Sequence, residues 1–474
     1  MKELDPLSLE EINPFTKLVL DQRIVEIPEF TLESGVTIRN FPVAYKTWGE
    51  LNEKGDNVLV ICHALTGSSD VADWWGPLLG NDLAFDPSRF FIICLNSLGS
   101  PYGSFSPLNI NGDTGERYGP EFPLCTVRDD VRVHKLVLDS LGVQSVACVI
   151  GGSMGGMLVL EWATIFGKEY VRNFVALATS ARHSAWCISW SEAQRQSIYS
   201  DPKYLDGYYS LDQPPVVGLS AARMSALLTY RSRNSFESKF ARRSPTQAHQ
   251  QKLNKAEAPK PSNLQECNLA IHNDGHRRSP PGHRSSVSST SSSSVDSINS
   301  ASSSTSLASL TAGSVKAVKP AQTYFSAQSY LRYQGEKFVN RFDANCYISI
   351  TRKLDTHDLG RDRFEYDEDI QEVLHSLMQP ALVIGIKSDG LFTYSEQEFL
   401  AENLPNARLE KIDSPEGHDA FLLEFKLINE LITNFLKKNV KEIMDAPGRL
   451  WQGNGAGETV KNSVFGEAEE VTNW

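Results

Sequence analysis

Between a strand-like run, Ser145-Val-Ala-Cys-Val-Ile150, and a helix-like run, Met157-Leu-Val-Leu-Glu-Trp-Ala163, lies Gly151-Gly152-Ser153-Met154-Gly155. A chain that passes from strand to helix in so few residues must turn sharply, and the Gly-x-Ser-x-Gly spacing supplies small neighbours where the backbone is crowded. Such a turn raises the serine hydroxyl above the end of a sheet. It also aims the first N–H groups of the next helix at any negative charge formed beside it. Ser153 is therefore the candidate nucleophile, and the fold that carries it must alternate strands with helices.

The flanking sequence shows that alternation. Val58–Cys62, Phe90–Leu95 and Ala381–Ile386 are continuous apolar runs, as expected of strands covered on both faces. Asn173–Leu177 is another strand candidate, and Val36–Trp48 alternates apolar with polar residues as a half-buried hairpin would. Thr126-Val-Arg-Asp129 has the form of a capping box opening a helix. Strands separated by helices imply a mostly parallel sheet flanked by helices. From about Arg243 to Val318 the composition shifts to Ser, Thr, Lys, Arg and Pro, so residues 243–318 are expected to be a disordered Ser-rich insertion. Helix-like sequence on both sides places that insertion inside a helical subdomain over 185–375. This subdomain would be spliced between two parts of one core, residues 15–184 and 376–440. An acidic tail, 446–474, follows.

The net charge of -12 argues against nucleic acid as a partner. The seven cysteines are odd in number and scattered, with no Cys-x-x-Cys, which points to reduced thiols and to neither a disulfide frame nor a metal site. The acidic N-terminus lacks the features of a targeting presequence, and no apolar run is long enough to span a membrane. A cytoplasmic protein is expected.

A serine hydroxyl needs a positioned base, and the base needs an orienting carboxylate. On sheets bearing such a turn the partners follow in the order Ser, Asp, His. Of the ten histidines, His63 and His134 precede Ser153, while His249, His272, His276 and His283 fall in the insertion. His183 follows the serine too closely, and His357 and His375 come before the last apolar strand. His418, in the loop Ser414-Pro-Glu-Gly-His-Asp419, alone lies beyond that strand. Asp389, in the turn after Ala381–Ile386, is the candidate acid. Asp413 and Asp419 compete but sit too near His418 in sequence. An oxyanion hole requires two N–H donors. Met154 supplies one, and the post-strand turn His63-Ala-Leu-Thr-Gly67 supplies the other, with Leu65 as the candidate donor and Ala64 and Thr66 not separated from it by sequence alone.

Several longer words occur together and in order: His63-Ala-Leu-Thr-Gly67, Asn96-Ser-Leu-Gly-Ser-Pro-Tyr-Gly-Ser104, Phe122–Asp129, Gly151-Gly-Ser-Met-Gly-Gly156, Ser191-Glu-Ala-Gln-Arg-Gln-Ser197, Tyr333–Phe338, Arg341-Phe-Asp-Ala-Asn345 and Ser414–Asp419. In these the chain closely resembles the homoserine O-acetyltransferases, in particular their fungal form, over about residues 15–440. The resemblance implies an α/β-hydrolase fold with an inserted helical lid. It implies acetyl transfer from acetyl-CoA, a co-substrate, to L-homoserine through an acetyl-serine, with no further cofactor and no metal. It also implies that Arg195 meets the substrate carboxylate, that Asp419 meets its ammonium, and that a homodimer forms through the lid helices, where Gly218–Leu228 offers small and apolar residues. Taken alone, the residues also admit a hydrolase using the same triad, or an acyltransferase with another donor or acceptor.

Overall fold

In a computed structural model of the chain, residues 1–245, 263–276, 324–363, 370–449 and 451–452 are described. They fall into two compact units, one of residues 1–239 with those from 334 onward, the other within 240–333.

The larger unit is built on one nine-stranded sheet in the order β1-β2-β3-β5-β4-β6-β7-β8-β9. Its strands are β1 (Lys2–Leu4), β2 (Arg23–Thr31), β3 (Thr37–Trp48), β4 (Val58–Cys62), β5 (Phe91–Leu95), β6 (Val146–Gly152), β7 (Phe174–Leu177), β8 (Ala381–Ile386) and β9 (Ala407–Ile412). From β5 through β9 every pairing is parallel. All residues of β4, β6, β7 and β8 are buried, which is why these strands read as unbroken apolar runs. Alternate side chains feed two cores: Val58, Val60 and Val149 on one face, and Leu59, Ile61 and Ile150 on the other.

Two expectations need correction. Val36–Trp48 is not itself a hairpin. Residues 37–48 form the single strand β3, and its antiparallel partner is β2. The segment 243–318 is not wholly without structure either, because Leu264–His272 is a helix whose first turn is capped by Asn263, the side-chain oxygen accepting from the Glu266 N–H. The remainder of 246–323, and most of the 446–474 tail, lie outside the described residues.

The main helices of the first half are α1 (Val127–Ser140), opened by the Thr126/Asp129 capping box, and α2 (Met154–Tyr170). Between β7 and β8 the chain inserts α3 (Ala185–Tyr199), α4 (Val216–Tyr230), α5 (Ser326–Phe338) and α6 (Ala344–Asp355). Helix α4 approaches α3 so closely that a Cβ on Gly218 would lie 2.6 Å from the Ser197 carbonyl oxygen. Its small residues Gly218, Ser220, Ala222 and Ala226 are thus buried within the chain itself. After β8 come α7 (Tyr394–Asn403) and, beyond β9, α8 (Phe425–Asn439).

Candidate active site

Strand register gathers the catalytic candidates at one sheet edge. Cys62 of β4 pairs with Gly151 of β6, Gly152 with Leu177 of β7, Leu177 with Ile384 of β8, and Ile386 with Ile412 of β9. The loops after β4, β6, β8 and β9 therefore leave the sheet side by side. The strand order also reverses between β4 and β6, and in open α/β sheets ligands bind at such a crevice.

Ser153 occupies the turn after β6 with φ 58° and ψ -126°, a region unfavourable for any residue with a side chain. The backbone holds it there. Its N–H donates to the Leu177 carbonyl at 3.0 Å, and its own carbonyl accepts from the Gly156 N–H at 2.9 Å and the Thr179 hydroxyl at 2.8 Å. The glycines are needed for space: a Cβ on Gly155 would sit 2.1 Å from the Cys62 carbonyl oxygen, and one on Gly152 would sit 2.5 Å from the Phe421 ring. Met154 opens α2, so its N–H has no intrahelical acceptor. Residues Ala64–Gly67 form a turn closed by the Gly67 N–H on the Ala64 carbonyl (3.0 Å), with Leu65 at its second position. Neither the Met154 nor the Leu65 N–H donates to a protein acceptor among the described residues.

His418 Nδ1 lies 2.7 Å from Asp389 Oδ2, with both residues buried. The other carboxylate oxygen of Asp389 accepts from the Leu391 and Phe392 N–H groups at 2.8 and 3.0 Å, which fixes the orientation of the carboxylate. Asp413, its competitor, is 75% exposed and faces Lys387. The imidazole packs 5.2 Å from the Phe421 ring, the same ring that crowds Gly152, and 5.3 Å from Phe392. The turn of the candidate nucleophile, the candidate base and the candidate acid thus converge on one aromatic wall, in the chain order expected of them.

Glu396, in the first turn of α7, adds a second acid nearby. Burial, reinforced by the negative charge of Asp389, pushes its carboxyl up to about 7, and its Oε2 is buried without a hydrogen-bond partner among the described residues. An acid whose folded value exceeds its unfolded one, about 4.3, binds more protons folded than unfolded. Stability is therefore lost as pH rises through that interval and levels off above about 7. Glu396→Gln should leave the melting temperature nearly unchanged near pH 4 and raise stability at pH 8 by on the order of 1–2 kcal/mol. Melting curves at the two pH values test this, and an equal effect at both would refute it.

The two residues assigned to the substrate head group differ in their surroundings. Arg195 is 1% exposed; its Nη2 lies 2.7 Å from Asp355 Oδ2 and 2.9 Å from Glu192 Oε2, while its Nη1 is buried without a partner among the described residues. The pairing with Glu192 follows i,i+3 helical spacing and was legible in the sequence. Asp419, beside the base, has Arg231 Nε at 2.8 Å from its Oδ2. Sequence reasoning missed Arg223 and Tyr230, which sit seven positions apart on α4. The Tyr230 ring is 6.2 Å from the imidazole of His418, and the buried Arg223 guanidinium lies 5.6 Å from the Tyr230 ring. The available signal was an arginine set among the mostly small and apolar residues of that helix.

This architecture, a mostly parallel sheet with a serine elbow and the Asp–His pair beyond it, is that of an α/β hydrolase, and the family model described as "alpha/beta hydrolase fold" matches residues 57–280. The chain is similar at 73% identity, over 100% of its own length and 98% of the relative's, to the homoserine O-acetyltransferase of Saccharomyces cerevisiae. It belongs to the homoserine O-acetyltransferase family, a family of acyltransferases. Among solved structures, homoserine O-acetyltransferase from Bacillus anthracis resembles it with TM-score 0.68 and 20% identity, covering 89% of this chain and 98% of that one. Esterase E22 does so with TM-score 0.67 and 23% identity over 88% and 99%. An esterase and a transferase match equally well, so the fold alone does not choose the acyl acceptor.

Proposed function

We propose that the chain moves the acetyl group of acetyl-CoA to the hydroxyl of L-homoserine through an acetyl-Ser153 intermediate. The observation that carries this is the 2.7 Å His418–Asp389 contact at the sheet edge from which the Ser153 elbow also emerges. The residues' roles follow from their chemistry. Asp389 keeps the proton of His418 on Nδ1, leaving Nε2 to accept the Ser153 proton as Oγ attacks the thioester carbon. The Met154 and Leu65 N–H groups receive the oxyanion. The tetrahedral intermediate expels CoA as its thiol, the proton coming from His418. Homoserine then enters, His418 takes its hydroxyl proton, and a second tetrahedral intermediate collapses to O-acetylhomoserine and free Ser153.

The acceptor is a zwitterion and must be held at both ends. Asp419, next to the base, suits the ammonium. For the carboxylate, Arg223 is supported better than Arg195, because its guanidinium lies one aromatic ring from His418. Arg223→Ala should raise the KM for homoserine by roughly 10–100-fold, since a charge-assisted hydrogen bond is worth about 1.5–3 kcal/mol, and leave the KM for acetyl-CoA nearly unchanged. Arg195→Ala should fall mainly on stability. The reverse pattern would return the carboxylate to Arg195.

The deciding experiment is CoA release from acetyl- and succinyl-CoA with homoserine, serine or no acceptor. Release that depends on homoserine and prefers acetyl-CoA supports the proposal, and release at the same rate without acceptor would make the protein a hydrolase. The same reading includes a cytoplasmic setting, supported by seven free cysteines. It also includes pairing of two copies through the inserted helices, supported by the exposed Val217 and Leu228 on α4. Among the described residues no helix is long and apolar enough to cross a membrane.

A further inference from the structure

Two of the sequence words that mark the family, Asn96–Ser104 and Arg341–Asn345, contribute no residue to the triad, yet both converge on the Ala64–Gly67 turn. The buried Arg341, just before α6, places Nη1 3.0 Å from the Thr66 carbonyl and 3.2 Å from the Tyr102 hydroxyl, and its guanidinium packs 4.9 Å from the Phe338 ring. The Tyr102 hydroxyl in turn donates to the Arg341 carbonyl at 2.8 Å. At the base of the turn, the Ser97 N–H donates to His63 Nε2 (3.0 Å), which leaves the proton on Nδ1 to donate to the Ala64 carbonyl (2.8 Å). Burial pushes the His63 imidazole down to about 4, in keeping with that neutral tautomer. The turn thus has one tether through His63 at the end of β4 and one from Arg341, in the segment joining α5 to α6, and Asn96–Ser104 braces both.

We infer that Arg341 is a positioning residue for the oxyanion hole: by holding the Thr66 carbonyl it keeps the adjacent Leu65 N–H aimed at the forming oxyanion. An oxyanion donor helps only if it need not reorient as charge develops, and Ala64 and Leu65 are only partly buried, so the closing bond of the turn alone would leave it soft. Because this tether comes from the segment joining two of the inserted helices, the hole is complete only when those helices are seated. The inference rests on the reading of Leu65 as an oxyanion donor.

The test is the kinetics of full-length Arg341→Ala, Arg341→Lys and Tyr102→Phe with acetyl-CoA and homoserine. Arg341→Ala should lower kcat by roughly 10–100-fold, less than the ~10²–10³ of a lost direct donor, with both KM values within about three-fold. Acetylation of Ser153 and its deacetylation should slow together, since each passes through a tetrahedral intermediate. Arg341→Lys should recover several-fold over alanine, because an ammonium can still donate to the Thr66 carbonyl. Tyr102→Phe, which deletes one hydroxyl and tests the brace should the alanine variant not fold, should lower kcat by a few-fold with the same split. A kcat within about two-fold of the parent in Arg341→Ala, a loss expressed in KM alone, or no gain from lysine over alanine would overturn the inference. If Ser153→Ala is inactive while Arg341→Ala is normal, this inference fails alone; if Ser153→Ala stays active, the catalytic reading beneath it fails.

Discussion

Ser153→Ala should reduce acetyl transfer by about 10⁴-fold or more and leave no acetylated enzyme on mixing with acetyl-CoA. The magnitude follows from the division of labour at the site. In the proposed mechanism the hydroxyl forms the covalent bond, and what would survive its loss is only binding and the N–H groups of Leu65 and Met154. The fold should be nearly untouched, because the turn is held by backbone groups, the Ser153 N–H on Leu177 and the Ser153 carbonyl under Gly156 and Thr179, and alanine keeps all of them. The check is intact-mass spectrometry after a pulse of acetyl-CoA, beside a melting curve. A variant that still takes up an acetyl group at residue 153 or elsewhere and turns over would remove Ser153 from the mechanism.

Asp389→Asn should cost about 10⁴-fold in kcat with little change in KM, and the reason is the proton inventory around the carboxylate. Oδ1 accepts from two backbone donors, the Leu391 and Phe392 N–H groups. An asparagine must keep its oxygen there, since its NH2 group has no acceptor to offer. The NH2 group would then face His418 Nδ1, which would have to present its lone pair, moving the imidazole proton to Nε2. In that tautomer Nε2 cannot accept the serine proton. The stability penalty should stay modest because the amide preserves the shape of the site. If more than about a tenth of kcat survives, Asp389 does not orient the base, and the steep cost of a wrong tautomer does not apply.

Much of this site was readable along the chain. The elbow is local: five residues between an apolar strand and a helix. The assignment of His418 needed only chain order and the exclusion of histidines that fall elsewhere, and Asp389 needed only the end of β8. Strands buried on both faces, β4, β6, β7 and β8, announce themselves because every position is apolar. The edge strand β9, Ala-Arg-Leu-Glu-Lys-Ile, does not, because only its last residue is fully buried and its pattern is that of any polar segment. The helix Leu264–His272 was hidden for another reason: Leu264, Cys267 and Ile271 recur at helical spacing, but over only nine residues set in strongly polar sequence, and the helix buries none of them.

The sequence by itself pointed to the buried parallel strands, the sharp turn at Ser153 and the candidates His418 and Asp389, because each depends on residues near one another in the chain or on the order in which they occur. Only the tertiary structure decided which side chains stand beside the imidazole of His418 and which charges are drawn together far from each other in sequence. Asp355 lies against Arg195, and the Arg223 guanidinium lies beside Tyr230, whose ring faces His418; neither juxtaposition can be read from spacing along the chain. Arg341 and Thr66 stand 275 positions apart, and no local pattern couples them. A hydrogen bond or ion pair depends on ångström-scale distance and direction, which the chain acquires only when its sheet registers and its inserted helices pack.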